Sequence, residues 1–448
     1  MRTTNSVDVS QIINEAPIGR LQWRIIAILF LIAMLDGFDT QAIAFVAPAI
    51  SAEWKISPSA FGAIFSAGLL GTVFGAPLFG TLGDRFGRKI MILASILEFS
   101  TLTLLCTRAD SVQNLLILRF LAGLGLGGAV PIFLALASEF SPDRKRQTMI
   151  TMTMCGFPLG AVVGGLSTGG LIDQYGWQTI FYIGGILPLL LLPLIAWGLP
   201  ESIRFLALKG KRAEVAKLLA KISPDKKFHP KNKFNLGEPE SNRTGVKALF
   251  SRGLASGTLL LWTTSFSSLV VTYGLINWIP SLLSQKGFST QNAVMGTVAL
   301  NFAGIAGSLV FSFLMNNKRH APLTASIAYA LGAGAVASIG MVGGEYGATL
   351  LSISLAGFFI IGAQLTISGY ATTFYPTAIR GTGGGWLQTA ARSGSLVGPL
   401  VGGLVLTTGI GPSQMFQFSA IPAIVSACAL FAFVSFGCEQ KSRQKVFE

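Results

Sequence analysis

Charge is the scarcest property of this chain. Only 12% of its 448 residues are Asp, Glu, Lys or Arg, about half the roughly 25% of a soluble domain, while 51% are hydrophobic. Such a chain has too little polar surface to cover a water-exposed fold. Histidine is scarcer still. His229 and His320 both fall in polar connections, so proton chemistry within the apolar segments rests on carboxylates. The four cysteines, Cys106, Cys155, Cys428 and Cys438, have neither paired nor metal-ligand spacing, which argues against a disulfide framework and a zinc site. No metal and no cofactor is expected. Glycine-rich runs are never followed by Lys-Ser/Thr, which excludes a nucleotide-driven pump. The first twenty residues hold Asp8, Glu15 and Pro17 without a short apolar core and small-residue cleavage pattern, so no removable leader is expected.

What is present is apolar length. Runs able to cross a hydrocarbon layer about 30 Å thick fall at 21–48, 60–82, 90–107, 112–138, 147–172, 177–199, 254–283, 291–315, 321–342, 347–373, 384–408 and 413–437. The expected fold is an all-α membrane protein with twelve transmembrane helices in two six-helix halves, residues 1–200 and 253–448, joined by a polar connector over 201–252. Of the 33 Lys and Arg, 28 fall on the side shared by the two termini and the connector. Lys55, Arg108 and Lys286 fall on the other side, and Arg119 and Arg392 lie within spans. The positive-inside rule then places both termini in the cytoplasm of a bacterial-type inner membrane. The same asymmetry accounts for the net charge of +14. Membrane lipid is the expected surroundings and nucleic acid is not a partner, because no basic face with aromatic stacking positions can be drawn.

The halves repeat at an offset of 234. Phe140, Pro142, Arg146 and Thr148 match Phe374, Pro376, Arg380 and Thr382, and Gly160, Val163 and Gly164 match Gly394, Val397 and Gly398. This sets the connection after the fourth span over that after the tenth, as two halves related by an axis along the membrane normal require. The small-xxx-small spacing of Gly156, Gly160 and Gly164, and of Gly394, Gly398 and Gly402, reads as helix-packing faces.

GTLGDRFGRK, Gly80 to Lys89, resembles the signature loop of the major facilitator superfamily; its counterpart at 311–320 keeps only the basic end. The helix motif LDGFDTQAIAFVAPAI (35–50), RFLAGLGLGG (119–128), PESIRFL (200–206) and FYPTAIRGTG (374–383) together resemble the aromatic acid:proton symporter family. The resemblance implies a secondary transporter importing an aromatic carboxylate, of benzoate or hydroxybenzoate type, with protons by alternating access. It implies no enzymatic reaction. A porter for a non-aromatic organic acid, a sugar or a drug, and a non-transporting membrane sensor, are the rivals. The fifth span lacks the Gly-Pro of the antiporter signature, which disfavours drug efflux.

Asp36 and Asp39 lie three residues apart on one helix face, roughly 18 and 22 Å along the span from Arg24. Carboxylates at that depth are costly and face a cavity or a partner, so the pair is the expected proton-coupling site, with the carrier of the proton left open between them. Arg119 in the fourth span lies at a depth like that of Asp39. Arg392 lies near mid-depth of the eleventh span, in a half without an intramembrane acid, and its planar fork suits a carboxylate. Both are expected to bind substrate. Tyr273, Asn277 and Trp278 of the seventh span, with Gln364 of the tenth, offer stacking and hydrogen bonds to an aromatic ring, although Trp and Tyr near a helix end also serve as interfacial anchors. Asp84, Arg85, Arg88, Glu139, Arg146 and Arg380 are expected to form ion pairs that break as a gate opens. The loop resemblance assigns Asp84, Gly87 and Arg88 to gating and helix packing. Glu98 of the third span reads as structural or as placed at the lipid interface.

Overall fold

The computed structural model of the chain describes residues 6–226, 228–229, 232–235, 246–251, 254–315, 320–375 and 379–444. Helices dominate, as continuous apolar runs without water demand, since a helix satisfies its backbone groups internally. They are α2 (Arg20–Trp54), α3 (Pro58–Phe86), α4 (Arg88–Cys106), α5 (Val112–Glu139), α6 (Arg146–Met154), α7 (Gly156–Tyr175) and α8 (Gln178–Gly198), following the short α1 (Val9–Glu15). After the connector come α11 (Ala255–Gln285), α12 (Thr290–Leu314), α13 (Ala321–Met341), α14 (Tyr346–Ala356), α15 (Gly362–Phe374), α16 (Arg380–Thr407), α17 (Pro412–Ser419) and α18 (Ile421–Gln444). A π-helical turn, Gly357–Ile361, joins α14 to α15.

Among the described residues, eleven helices are long and apolar enough to cross a membrane. The expected span at 384–408 is the exception. It forms within α16, whose 28 residues give ample length, but Gly383 to Gly385, Gln388, Arg392, Ser393 and Ser395 lower its hydropathy. The connector also carries structure: α9 (Ile203–Leu208) and α10 (Arg212–Ile222). Val215, Leu219 and Ile222 of α10, at helical spacing, are buried in one apolar cluster with Val9, Ile12 and Ile13 of α1. A feature that hydropathy does not foretell is a two-stranded parallel ribbon, β1 (Ser6–Asp8) beside β2 (Lys233–Asn235). Lys226 Nζ donates to Glu15 Oε2 at 2.7 Å beside it, and this hydrogen bond holds the Glu15 carboxyl below its ordinary pKa.

Two compact units result. The first comprises Met1–Thr40, Leu70–Gly160 and Phe181–Ser241; the second comprises Gln41–Leu69, Ala161–Ile180 and Asn242–Glu448. In the first unit, helices meet where glycine removes the side chain. A Cβ on Gly37 would lie 1.9 Å from the Phe157 carbonyl oxygen, and one on Gly160 would lie 1.9 Å from that of Met34, so α2 and α7 touch backbone to backbone. Gly71 and Gly75 place α3 on the carbonyls of Phe120 and Leu124 in α5 in the same way. The second unit repeats both pairings. Gly394 and Gly398 of α16 lie on the carbonyls of Phe266 and Val270 in α11, and Gly307 of α12 lies on that of Phe358. The register of the sequence repeat is kept as well: α6 starts at Arg146 and α16 at Arg380.

Candidate functional site

Asp39 is fully buried, and three other helices of the first unit, α4, α5 and α8, supply the groups around it. Thr103 of α4 donates its hydroxyl to Asp39 Oδ1 at 2.7 Å. Arg119 of α5 donates through one terminal nitrogen to Asp39 Oδ2 at 3.1 Å and through the other to the Asp39 carbonyl at 3.0 Å. The guanidinium lies 5.9 Å from the centre of the Phe181 ring, on α8, a distance at which a cation is attracted to the aromatic face. Gly184, one turn further along α8, leaves room for the carboxylate: a Cβ there would lie 3.5 Å from Asp39 Oδ1 and 3.0 Å from the Phe38 ring. The pair is electrically neutral, as two charges removed from water must be. Arg119 Nε is buried and has no hydrogen-bond partner.

Asp36, also buried, has other neighbours on its own helix. Thr40 donates to its Oδ1 at 3.4 Å, and the helix face beside it is the Gly37 contact with α7. The structure thus ties Asp39 to a cation and gives Asp36 a hydroxyl. One turn beyond, in the second unit, Gln41 and Asn301 of α12 exchange amide hydrogen bonds at 2.9 and 3.3 Å, and Asn301 also donates to the Thr297 carbonyl at 2.9 Å.

The second cluster sits at the junction of α3 and α4. Gly87 takes φ +111°, in the region that favours glycine, and turns the chain so that α4 begins against Glu201. The Glu201 carboxylate accepts from the backbone N–H groups of Arg88 at 2.8 Å, Lys89 at 3.2 Å and Ser202 at 2.8 Å. An anion at a helix N-terminus is favoured by both the unpaired donors and the helix dipole. The Arg88 guanidinium pairs with Glu139 at the end of α5 and lies 3.9 Å from Asp84, while Ser202 donates to Glu139 Oε2 at 2.6 Å. Arg85 stays outside this network, exposed, over the Phe86 ring at 5.3 Å. Arg146 forms a local, exposed pair with Asp143 at 2.5 Å, and the side chain of Arg380 lies outside the described residues.

In the second unit the expected substrate residues divide. Trp278 is buried, donates its indole N–H to the Pro399 carbonyl at 3.0 Å and meets Phe65 edge to face at 5.4 Å. Asn277 is buried and donates to the Tyr273 carbonyl, one turn back, at 2.8 Å. Tyr273, Gln364 and Arg392 are half-buried and each makes interactions within the protein. Among the described residues, no group of three or more His, Cys, Asp or Glu side chains could hold a metal.

The sequence pattern of the Major Facilitator Superfamily matches residues 29–399. The chain belongs to the major facilitator superfamily. It is 37% identical over 428 residues to a gallate transporter of Pseudomonas putida, covering 95% of each chain. It is also 37% identical over 438 residues to a 4-hydroxybenzoate transporter of Acinetobacter baylyi, covering 95% of this chain and 94% of the relative. The solved structure of a partially occluded, inward-open xylose transporter of E. coli matches 93% of this chain with a TM-score of 0.71 at 15% identity; that likeness concerns the fold.

In this major facilitator protein several site residues carry no signal of their own in the sequence. Thr103, Phe181 and Gly184 look like ordinary residues of apolar spans, and only the crossing of α4 and α8 with α2 brings them to Asp39. Glu201 has a signal that was legible: an acid beside a proline, next to a Ser able to cap α9, where Ser202 accepts from the Phe205 N–H at 3.0 Å. The Gln41–Asn301 pair has none, because an amide in an apolar run does not name its partner.

Proposed function

We propose that this protein is a proton-coupled secondary transporter that imports an aromatic carboxylate, of benzoate or hydroxybenzoate type, by alternating access across the bacterial inner membrane, with both termini in the cytoplasm. The observation that carries the reading is the buried Asp39–Thr103–Arg119 group with its unspent Nε donor. A proton placed on Asp39 neutralises the carboxylate and leaves Arg119 as an uncompensated buried cation, which is strongly unfavourable until an anion replaces the lost charge. A substrate carboxylate supplies that charge and accepts from the released guanidinium, so proton and acid enter together and the site stays neutral. The names of the gallate and 4-hydroxybenzoate relatives support an aromatic acid as the anion.

In this reading Asp36 and Asp39 couple protons, and Arg119 and Arg392 anchor the carboxylate. Tyr273, Asn277 and Gln364 meet the ring, and Trp278 supports them from its seat on Pro399. Arg88, Glu139 and Asp84, arranged around Gly87, hold the cytoplasmic gate, with Arg85, Arg146 and Arg380 at its periphery. The working parts are the halves 1–200 and 253–448 with the connector 201–252. The test is uptake of labelled 4-hydroxybenzoate into vesicles with and without an ionophore that collapses the proton gradient. Accumulation that disappears with the ionophore is expected. Accumulation that persists, or is lost to competing xylose rather than to benzoate, overturns the reading.

A further inference from the structure

The coupling mechanism above leaves one half-buried acid of the spans unused. Glu98 of α4 reaches α5 at Gly125, where its Oε2 is enclosed and has no hydrogen-bond partner. The enclosure fits the carboxyl: a Cβ on Gly125 would lie 1.9 Å from Glu98 Oε2, 2.8 Å from the Ser95 carbonyl and 3.0 Å from the Phe99 Cβ. Ser95, one turn away on α4, spends its hydroxyl on the Gly125 carbonyl at 2.5 Å, so it does not serve the carboxyl. A carboxyl with one oxygen enclosed and unpartnered and no cation beside it suits a group that carries a proton for part of a cycle.

Its position gives that proton a use. Ser95, Thr103 and Cys106 share one face of α4, Glu98 lies at the edge of that face beside Ser95, and Thr103 already donates to Asp39. Glu98 is five residues from Thr103, and Gly125 is six residues from Arg119, about 9 Å along the same α4–α5 seam. The other ionisable groups on α2, α4, α5 and α8 are Asp36, Asp39, Glu53, Cys106, Arg119 and Tyr182 toward one end. Toward the other end, where α4 starts, they are Arg20, Arg24, Arg88, Lys89 and Glu139. Glu98 therefore stands between the Asp39 site and the ion-pair cluster of the α3–α4 junction.

We propose that Glu98 is a second proton-binding carboxyl, through which the proton released by Asp39 leaves toward the α4 N-terminus. This rests on the transport reading above. Asp39 gives up its proton as Arg119 re-pairs with it, the carboxylate of Glu98 accepts that proton, and water at the opened α4 end removes it. The structure holds the stage after transfer, with Asp39 paired to Arg119 and the Glu98 oxygen enclosed without a partner.

Glu98→Gln keeps the shape and removes the titration. In proteoliposomes, accumulation of labelled 4-hydroxybenzoate driven by a pH gradient is expected to fall about tenfold or more, the least effect typical of removing a proton-transfer group. Exchange of labelled for unlabelled acid, which needs no net proton release, is expected to stay near the parent rate, and Glu98→Asp to recover part of the accumulation. Loss of both activities in a folded variant, or of neither, assigns Glu98 to packing and overturns the proposal. Infrared spectra of the purified protein at neutral pH give an independent reading: a protonated carboxyl band present in the parent and missing in Glu98→Gln is expected, and a parent without that band overturns the proposal. If the parent itself fails to accumulate the acid, the transport reading fails, and the infrared band still decides whether Glu98 holds a proton.

Discussion

At the residue scale, the mechanism turns on one buried carboxylate that has a guanidinium and a hydroxyl as partners. Its burial makes substitution costly in a specific way. Asp39→Asn leaves Arg119 charged and unpaired, and breaking a buried pair from one side costs about 3–5 kcal/mol. Replacing Asp39 by Asn and Arg119 by Gln together should be less destabilising than the sum of the single changes, which a double-mutant cycle on thermal unfolding in detergent measures; strict additivity would mean that the pair contributes nothing. Asp39→Asn should also lose gradient-driven accumulation, and retention of parental accumulation would remove Asp39 from coupling. Arg392 tests the other half. A hydrogen bond to a charged group contributes about 1.5–3 kcal/mol, so Arg392→Gln should weaken binding of the acid by about 10- to 100-fold, and Arg392→Lys should not restore it because the fork is lost. Equilibrium binding to the folded variants, with a ring analogue lacking the carboxylate as control, reads this directly. Asp39 and Arg119 were legible in the sequence because charge at membrane depth is rare. Thr103 and Gly184 were not, because their roles arise from where α4 and α8 cross α2.

At the element scale, glycine determines which helices touch. The contacts of α2 with α7 and of α11 with α16 put carbonyls against glycine Cα atoms, where weak Cα–H···O contacts and close packing replace the hydrophobic drive that lipid cannot supply. Gly160→Ala places a Cβ 1.9 Å from the Met34 carbonyl oxygen and should cost at least the roughly 1–3 kcal/mol of overpacking, seen as a lower unfolding temperature. Gly334→Ala in α13 meets nothing within 4 Å and should be neutral or stabilising by up to about 1 kcal/mol from helix propensity. Equal effects of the two would contradict the packing argument. The Glu201 cap is a separate element-level prediction. Glu201→Gln weakens the anion at the start of α4 and should cost about 0.5–2 kcal/mol, a range that a thermal melt of the purified variant checks. Hydropathy located most of the helices well because length and apolarity suffice for that. The run at 384–408 does form a helix, α16, although polar residues make it the weakest of the spans, and hydropathy cannot foresee the β1–β2 ribbon or the amphipathic α10, which form in segments too polar to cross a membrane.

At the scale of the whole molecule, charge asymmetry and internal repetition carry the argument. The count of 28 basic residues against 3 predicts that reporter fusions after Gly210 and at the C-terminus both signal from the cytoplasm; an external signal from either would invert the topology. The repeat was legible as seven identities at one offset, and the structure gives it physical content, because the helix pairs joined through glycine in the first unit recur in the second. The solute was legible only as a resemblance, since no single residue of a carboxylate site names the ring attached to the carboxylate. The central claim is that proton and aromatic acid move together, and the most direct test needs no imposed gradient. Parent protein is reconstituted into de-energised liposomes in weakly buffered medium, 4-hydroxybenzoate is added outside, and the external pH is followed. The account predicts an alkaline shift, as protons enter with the acid, that is abolished by a protonophore and missing with Asp39→Asn. Entry of the labelled acid with no movement of external pH would contradict it.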